Sequence, residues 1–118
     1  MNTQKIAARF YELAQQGNWD KIQDELFSTD AQSIEPEHSQ GLKTVKGIDQ
    51  IREKGKQWNV MIEQVHGGYC NEPIVAGNHF ACAMGLDVTL KGQPRMQMDE
   101  VAVYEVKDGK IVKEQFFF

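Results

Sequence analysis

The sequence predicts an α+β fold: helix, helix, short strand, helix, then three or four long antiparallel strands, with the helices segregated to one side of the sheet. Three observations carry this reading. Apolar residues recur at helical spacing in three N-terminal segments. Residues 79–90 alternate in the period-two manner of a long strand. Residues 95–118, RMQMDEVAVYEVKDGKIVKEQFFF, hold two runs rich in β-branched and aromatic side chains around Lys107-Asp108-Gly109, whose glycine can supply the positive φ of a tight hairpin.

Residues 3–16 carry Ile6, Ala7, Phe10, Leu13 and Ala14 on one helical face, and Gly17 follows where a helix C-terminal glycine belongs. Asn18 caps a second helix, with Asp20 near the positive end of its dipole and Trp19, Ile22, Leu26 and Phe27 as its apolar stripe. That helix is expected to end near Ser28-Thr29-Asp30. Residues 31–35 read as a short strand stopped by Pro36, which has no N–H to offer a ladder. Residues 37–46 lack periodicity and are expected to form a surface loop. Gly47 opens a third helix with Ile48, Ile51 and Trp58 on its apolar face and Arg52, Glu53, Lys54, Lys56 and Gln57 at exposed positions.

Residues 60–68 predict a strand that bends or bulges at Gly67-Gly68. Residues 69–75 are ambiguous, and Pro73 places them at an edge. After the turn Ala76-Gly77-Asn78, residues 79–90 put Phe80, Cys82, Met84, Leu86 and Val88 on one face, with His79, Asp87 and Thr89 on the other. Lys91-Gly92-Gln93 leads into the terminal hairpin. There, Met98, Glu100, Ala102, Tyr104 and Val106 share one face, and Gln97, Asp99, Val101, Val103 and Glu105 the other. Glu114, Phe116 and Phe118 alternate with Lys113, Gln115 and Phe117. Neither face is purely polar, so both are expected to be covered.

The 118 residues suit one domain, and 41% apolar with 25% charged residues excludes long disorder. A net charge of -4 without a basic patch argues against nucleic acid. Residues 1–10 lack the pattern of a signal peptide, and no apolar run approaches the roughly 18 residues of a membrane span. The expected compartment is the cytoplasm, with no membrane partner. Cys70 and Cys82 form no CxxC pair and read as reduced core thiols rather than a bridge. His38, His66 and His79 lack zinc-site spacing and the acids show no calcium loop, so no metal is expected. Nor is there a Ser-His-Asp order, a P-loop or a dinucleotide glycine fingerprint.

The order of elements and several local strings resemble the nuclear transport factor 2-like superfamily over nearly the whole chain. The strings are Arg9-Phe10-Tyr11-Glu12-Leu13 with Gly17 after it, Asp30-Ala31 followed by Glu35-Pro36, Gly47 and Ile51, Gly92-Gln93-Pro94, and Asp108-Gly109-Lys110-Ile111 before an aromatic end. Within the superfamily, MDEVAVYEVKDGKIVKEQFFF looks most like the SnoaL-like proteins, a set named after a polyketide cyclase. The resemblance implies one SnoaL-like domain over residues 1–118, its curved antiparallel sheet wrapped around three N-terminal helices to form a cone with an internal pocket. It also implies cofactor-free chemistry. Ketosteroid isomerase, a relative in the superfamily, uses an Asp before a Pro at the end of its first short strand to remove a proton next to a carbonyl. Glu35 before Pro36 matches that position. The isomerase's oxyanion donors are not matched, since its helix-one Tyr corresponds to Phe10 and its protonated strand Asp falls at about Ala102 or Val101. Steroid isomerisation is therefore not expected.

Glu35 is the candidate base, and Glu100, Glu114 or His66 the candidate partner acid. Several like charges in one apolar cavity cannot all stay ionised, so at least one carboxyl is expected to have a raised pKa. Each residue has a plainer reading as well. Glu35 would be a solvated loop carboxylate, Glu100 and Glu114 cross-strand partners of Lys110, Lys113 or Arg95, and His66 a satisfied core histidine. Phe10, Trp58, Met84, Met98, Tyr104, Phe116 and Phe118 are the expected walls around an apolar small molecule. On the outer sheet face, Val101, Val103 and Phe117 are expected to meet a second copy in a homodimer. A non-catalytic ligand-binding or interaction module would satisfy the same pattern.

Overall fold

Helix α1 (Thr3–Gln15) starts at Asn2, whose side chain accepts a hydrogen bond of 2.9 Å from the Lys5 N–H and so satisfies one of the unpaired donors of the first turn. The computed structural model describes residues 1–39 and 41–118; Gln40, inside the predicted 37–46 loop, lies outside the described residues. Gly17 turns the chain at a φ of 68° into α2 (Trp19–Leu26), which Asn18 caps as expected. An Arg9–Glu25 ion pair of 2.6 Å joins the two helices.

The first strand, β1 (Phe27–Ile34), follows α2 directly and starts earlier than the predicted residue 31. Phe27, Ala31 and Ser33 are its buried positions, so residues assigned to the end of α2 already carry a strand's inward face. The predicted loop contains a further strand, β2 (Val45–Lys46), too short to show a period of its own. Then come α3 (Ile48–Met61), β3 (Ile62–Cys70), β4 (Ile74–Ala76), β5 (His79–Leu90), β6 (Met96–Lys107) and β7 (Lys110–Phe117). The strand order is β2-β1-β7-β6-β5-β3, with β4 also on β5.

The sheet is mixed and not wholly antiparallel, because β1 pairs parallel with β7 while the other neighbours are antiparallel. A parallel pair needs a long connection, and α3 and five strands separate these two in sequence. Register slips in β3, one of them beside Gly67, accord with the predicted bulge. Another slip lies between Glu105 and Val106 where β6 meets β7. It lets Ile111 and Glu114, which have opposite parity, both turn inward and become buried.

The three helices and the inner sheet face enclose one core, as in a nuclear transport factor 2-like cone. Ile6, Ala7, Phe10, Leu13 and Ala14 of α1 are all buried. The Phe10 ring lies 4.7 Å from that of Tyr104 and 5.3 Å from that of Phe80, and Phe80 stacks on Tyr104 at 4.9 Å. Cys70 and Cys82 are free and buried, their sulfurs 3.9 Å apart. On the outer face, Val101 and Phe117 are cross-strand partners and stay 45% and 50% exposed. No helix among the described residues is long and apolar enough to cross a membrane.

Truncating Phe10 removes the ring on which the Phe80–Tyr104 stack rests. Phe10→Ala is expected to cost about 3–5 kcal/mol, read from urea unfolding midpoints. A loss below about 1 kcal/mol would show that the core re-closes without it.

Candidate functional site

The inner face of the cone carries a polar cluster built from β1, α3, β6 and β7. Parallel register places Ser33 beside Glu114, and antiparallel register places Glu114 opposite Tyr104 and Glu100 opposite Met84. Glu35 follows the last residue of β1, with its backbone N–H bonded to Thr44 Oγ1 at 2.9 Å. Lys54 reaches in from α3, where its spacing from Ile51 and Trp58 puts the three on one helical face.

A continuous chain of hydrogen bonds links these groups. Lys54 Nζ donates to Glu35 Oε2 at 2.7 Å and to Ser33 Oγ at 2.6 Å, and Ser33 Oγ donates to Glu114 Oε1 at 2.8 Å. The Lys54 and Glu35 side chains are only 9% and 7% exposed, so their ion pair is buried. Lys54 Nζ also sits 5.7 Å from the centroid of the Phe116 ring, within cation–π range. Glu100 is half-buried, and its carboxyl has no hydrogen bond or ion pair among the described residues.

One ammonium cannot neutralise three carboxylates. Burial pushes the Glu114 carboxyl up to about 7, against the opposing pull of the Ser33 hydrogen bond and the Lys54 charge. Burial likewise pushes Glu100 up to about 7, helped by the charges of Glu35 and Glu114 and opposed by Lys54. Two carboxyl groups therefore exchange protons near neutrality beside a third that is clasped by a lysine. This is an arrangement suited to general acid–base work.

The structure brings together Glu35, Glu100 and Glu114. It does not bring His66 to them, since that ring is exposed on β3 with Nε2 2.8 Å from Thr89 Oγ1. The cross-strand cations find other partners. Lys113 lies 3.7 Å from Glu105, Arg95 2.7 Å from Asp87, and Lys110 donates to the Glu25 carbonyl at 2.9 Å. Of the expected walls, Phe10, Met84 and Tyr104 are buried, Trp58 and Phe116 are half-buried, and Met98 and Phe118 are exposed. Phe118 meets His38 edge-on at 5.3 Å.

Lys54 is the main correction to the sequence reading, which placed it on the exposed face of α3; the structure buries it. The available signal was its spacing from Ile51 and Trp58, which a lysine on an apolar stripe makes easy to discount. Ser33 was also missed, although period two from Ala31 points it inward.

Two surface hollows lie away from this cluster. One, of about 240 Å³, is lined by Gly17, Asn18, Trp19, Asp20 and Asn59. The other, of about 320 Å³, is lined by Asn2, Thr3, Gln4, Val75 and Gly77. Neither contains a carboxyl–lysine constellation. Among the described residues no group of three or more His, Cys, Asp or Glu side chains is arranged to hold a metal ion.

The sequence pattern of the SnoaL-like domain matches residues 1–118. A crystal structure of a SnoaL-like polyketide cyclase-type protein from Mesorhizobium loti is 34% identical, with 100% of each chain covered and a TM-score of 0.92. TerC, co-crystallised with polyporic acid, is 18% identical over 98% of this chain and 90% of its own, with a TM-score of 0.78. A protein of ketosteroid isomerase-like fold from Catenulispora acidiphila, in complex with trimethylamine, is 20% identical over 99% of this chain and 87% of its own, with a TM-score of 0.69. The last two likenesses show the fold alone. No curated protein matches the sequence.

Two measurements check the cluster. Replacing Lys54 by Met strands the buried Glu35 carboxylate, and is expected to cost about 3–5 kcal/mol in urea unfolding at pH 8. A neutral result would mean that Glu35 reaches water. The second is pH dependence. Glu100 and Glu114 are raised from 4.5 to about 7, so between those values the folded state holds more protons than the unfolded chain. Stability is therefore present at low pH and lost as pH rises through this window, by on the order of a few kcal/mol. The double variant Glu100→Gln/Glu114→Gln should flatten the decline between pH 5 and 8, whereas an equal slope in both proteins would place those carboxyls in water.

Proposed function

The chain belongs to the SnoaL-like domain family, and from that premise we propose that it binds an uncharged, largely apolar small molecule inside the cone and carries out cofactor-free acid–base chemistry on it. The reaction class is removal of a proton next to a carbonyl, as in an isomerase or cyclase. The observation that carries this reading is the pair of carboxyls near neutrality, Glu100 and Glu114, beside the clasped Glu35. A proton-transfer group works best when its pKa lies close to the working pH.

The roles follow from the contacts. Glu35 holds the position of the isomerase base, but its carboxyl is already engaged by the Lys54 ammonium at 2.7 Å. Glu100 is unclasped and partly open, so it is the group that exchanges a proton with the ligand. Glu114, tied to Ser33, sets the local charge and holds a second proton. That relatives of this fold have been crystallised with polyporic acid and with trimethylamine supports the cone as a small-molecule site. The exposed Val101–Phe117 pair supports a homodimer closed through the outer sheet face.

A second reading is a binding module without turnover, favoured by the same Lys54–Glu35 pair, because that contact occupies the carboxyl that matches the isomerase base. Deuterium exchange at the α-carbons of 2-tetralone, followed by NMR, separates the two. The protein is expected to accelerate exchange, and Glu100→Gln to lower that rate by about 10²–10⁴-fold while the probe still binds. Exchange that persists in Glu100→Gln would remove Glu100 from the chemistry. Binding without any exchange would favour the module.

A further inference from the structure

Cys70 and Cys82 are free thiols whose sulfurs lie 3.9 Å apart, in van der Waals contact. The proposed acid–base chemistry uses neither. They stand on neighbouring antiparallel strands, Cys70 as the last residue of β3 and Cys82 within β5, and both are buried. In register Cys70 lies opposite Met84, so Cys82 is its diagonal neighbour, one inward position further along β5. A regular sheet holds diagonal neighbours about 7–8 Å apart, just beyond the reach of a relaxed disulfide.

This end of the sheet is not regular. β3 stops at Cys70, opposite Met84, and β4 starts at Ile74, opposite Ala81. The chain takes four steps from Cys70 to Ile74 while β5 takes three from Met84 to Ala81, so one residue is surplus. It is accommodated in Asn71-Glu72-Pro73, which belongs to no strand. An extra residue of this kind bends the strand and loosens the ladder beside it, here next to a sulfur that has to move. Closing the gap from 3.9 Å to the ~2.0 Å of a disulfide takes a side-chain rotation and a small shift of residues 70–73.

The two thiols are unequal. Cys70 is followed by the exposed Asn71 and Glu72, whereas Cys82 lies mid-strand, with β6 paired alongside at Ala102. The hydrogen bond from Cys82 holds the Cys70 thiol below its ordinary range, against the opposing effect of burial. The same bond, burial and the neighbouring Cys70 and Glu100 charges raise Cys82. Cys70 is therefore the thiol that ionises first and meets a reagent from solvent, and Cys82 waits behind it as a protonated partner.

We propose that Cys70 and Cys82 form a reversible oxidation site, closing to a disulfide within the chain when a hydroperoxide reaches Cys70. The Cys70 thiolate attacks one oxygen of hydrogen peroxide, the O–O bond breaks, and the departing hydroxide takes up a proton to leave as water. The Cys82 sulfur then attacks the Cys70 sulfenic acid. The S–S bond forms as the S–O bond breaks, and the hydroxyl leaves with the Cys82 proton as a second water. The two sulfurs together give two electrons to the peroxide, and a dithiol reverses the step by exchange. The site is independent of the proposed function.

The test is to treat the reduced native protein, dilute, with hydrogen peroxide, then to alkylate it in denaturant and weigh it intact. The expected product is a single chain lighter by two hydrogens and alkylated at neither cysteine, with the Cys70 and Cys82 peptides joined in the digest. Dithiothreitol should restore two alkylatable thiols. The rate should stay flat across urea concentrations below the unfolding transition. Cys82→Ala should leave Cys70 as a sulfenic acid captured by dimedone, whereas Cys70→Ala should keep Cys82 reduced. Two alkylated thiols in the treated wild type, a mass raised by added oxygen, or a bridge between chains overturns the site. So does a rate that climbs with the unfolded fraction, and capture of Cys82 by dimedone in Cys70→Ala overturns the assigned order of attack.

Discussion

Lys54 brings one ammonium into an apolar interior that also holds three carboxyl groups, and burial of that unequal set governs the protonation of Glu100 and Glu114. The lysine is held by Glu35 and Ser33 at 2.7 and 2.6 Å, and Ser33 passes the contact on to Glu114. A buried ion pair of this kind adds little net stability when compared with apolar residues of the same shape, but breaking it strands a charge. Glu35 and Ser33 hold the lysine, while burial raises the Glu100 and Glu114 carboxyls to about 7 against the pull of the Lys54 charge.

The fold delivers these groups through three devices. The parallel contact of β1 with β7 puts Ser33 next to Glu114, although the two are 81 residues apart in sequence. The slip between β6 and β7 turns Glu114 inward together with Ile111, a pairing that unbroken alternation forbids. The apolar face of α3 then carries Lys54 over the end of β1. The aromatic triad Phe10, Phe80 and Tyr104 packs the core beside the same cluster and fixes the tyrosine ring.

Much of the fold was legible because its signals are periodic and local. The helical stripe from Ile6 to Ala14, the caps at Asn18 and Gly17, and the alternation of residues 79–90 are all properties of neighbouring residues. The parallel pairing of β1 and the two-residue β2 were not legible, since they depend on which distant strands meet. The site divides in the same way. Alternation put Glu100 on one strand face with Ala102 and Tyr104, and the family resemblance turned that face toward the pocket and matched Glu35 before Pro36 to the isomerase base. Glu114 was placed on the right face, although the bulge that puts Ile111 on that face as well cannot be read from the residues themselves. Lys54 was misplaced because lysine on a helix is ordinarily solvated, and only the acids waiting opposite it, on three other strands and loops, reverse that expectation.

The central claim is that the cone interior holds two carboxyl groups which exchange protons near neutrality because burial penalises their charged forms more than the single lysine relieves them. The most direct measurement is an NMR titration of the glutamate side-chain carboxyl carbons in uniformly ¹³C-labelled protein from pH 3 to pH 9. Two glutamates are predicted to titrate near pH 7, with mutually dependent curves, and to be assigned to Glu100 and Glu114 by single Gln substitutions. If every glutamate titrated between about pH 4 and 5, as freely solvated carboxyls do, the buried cluster would not exist as described.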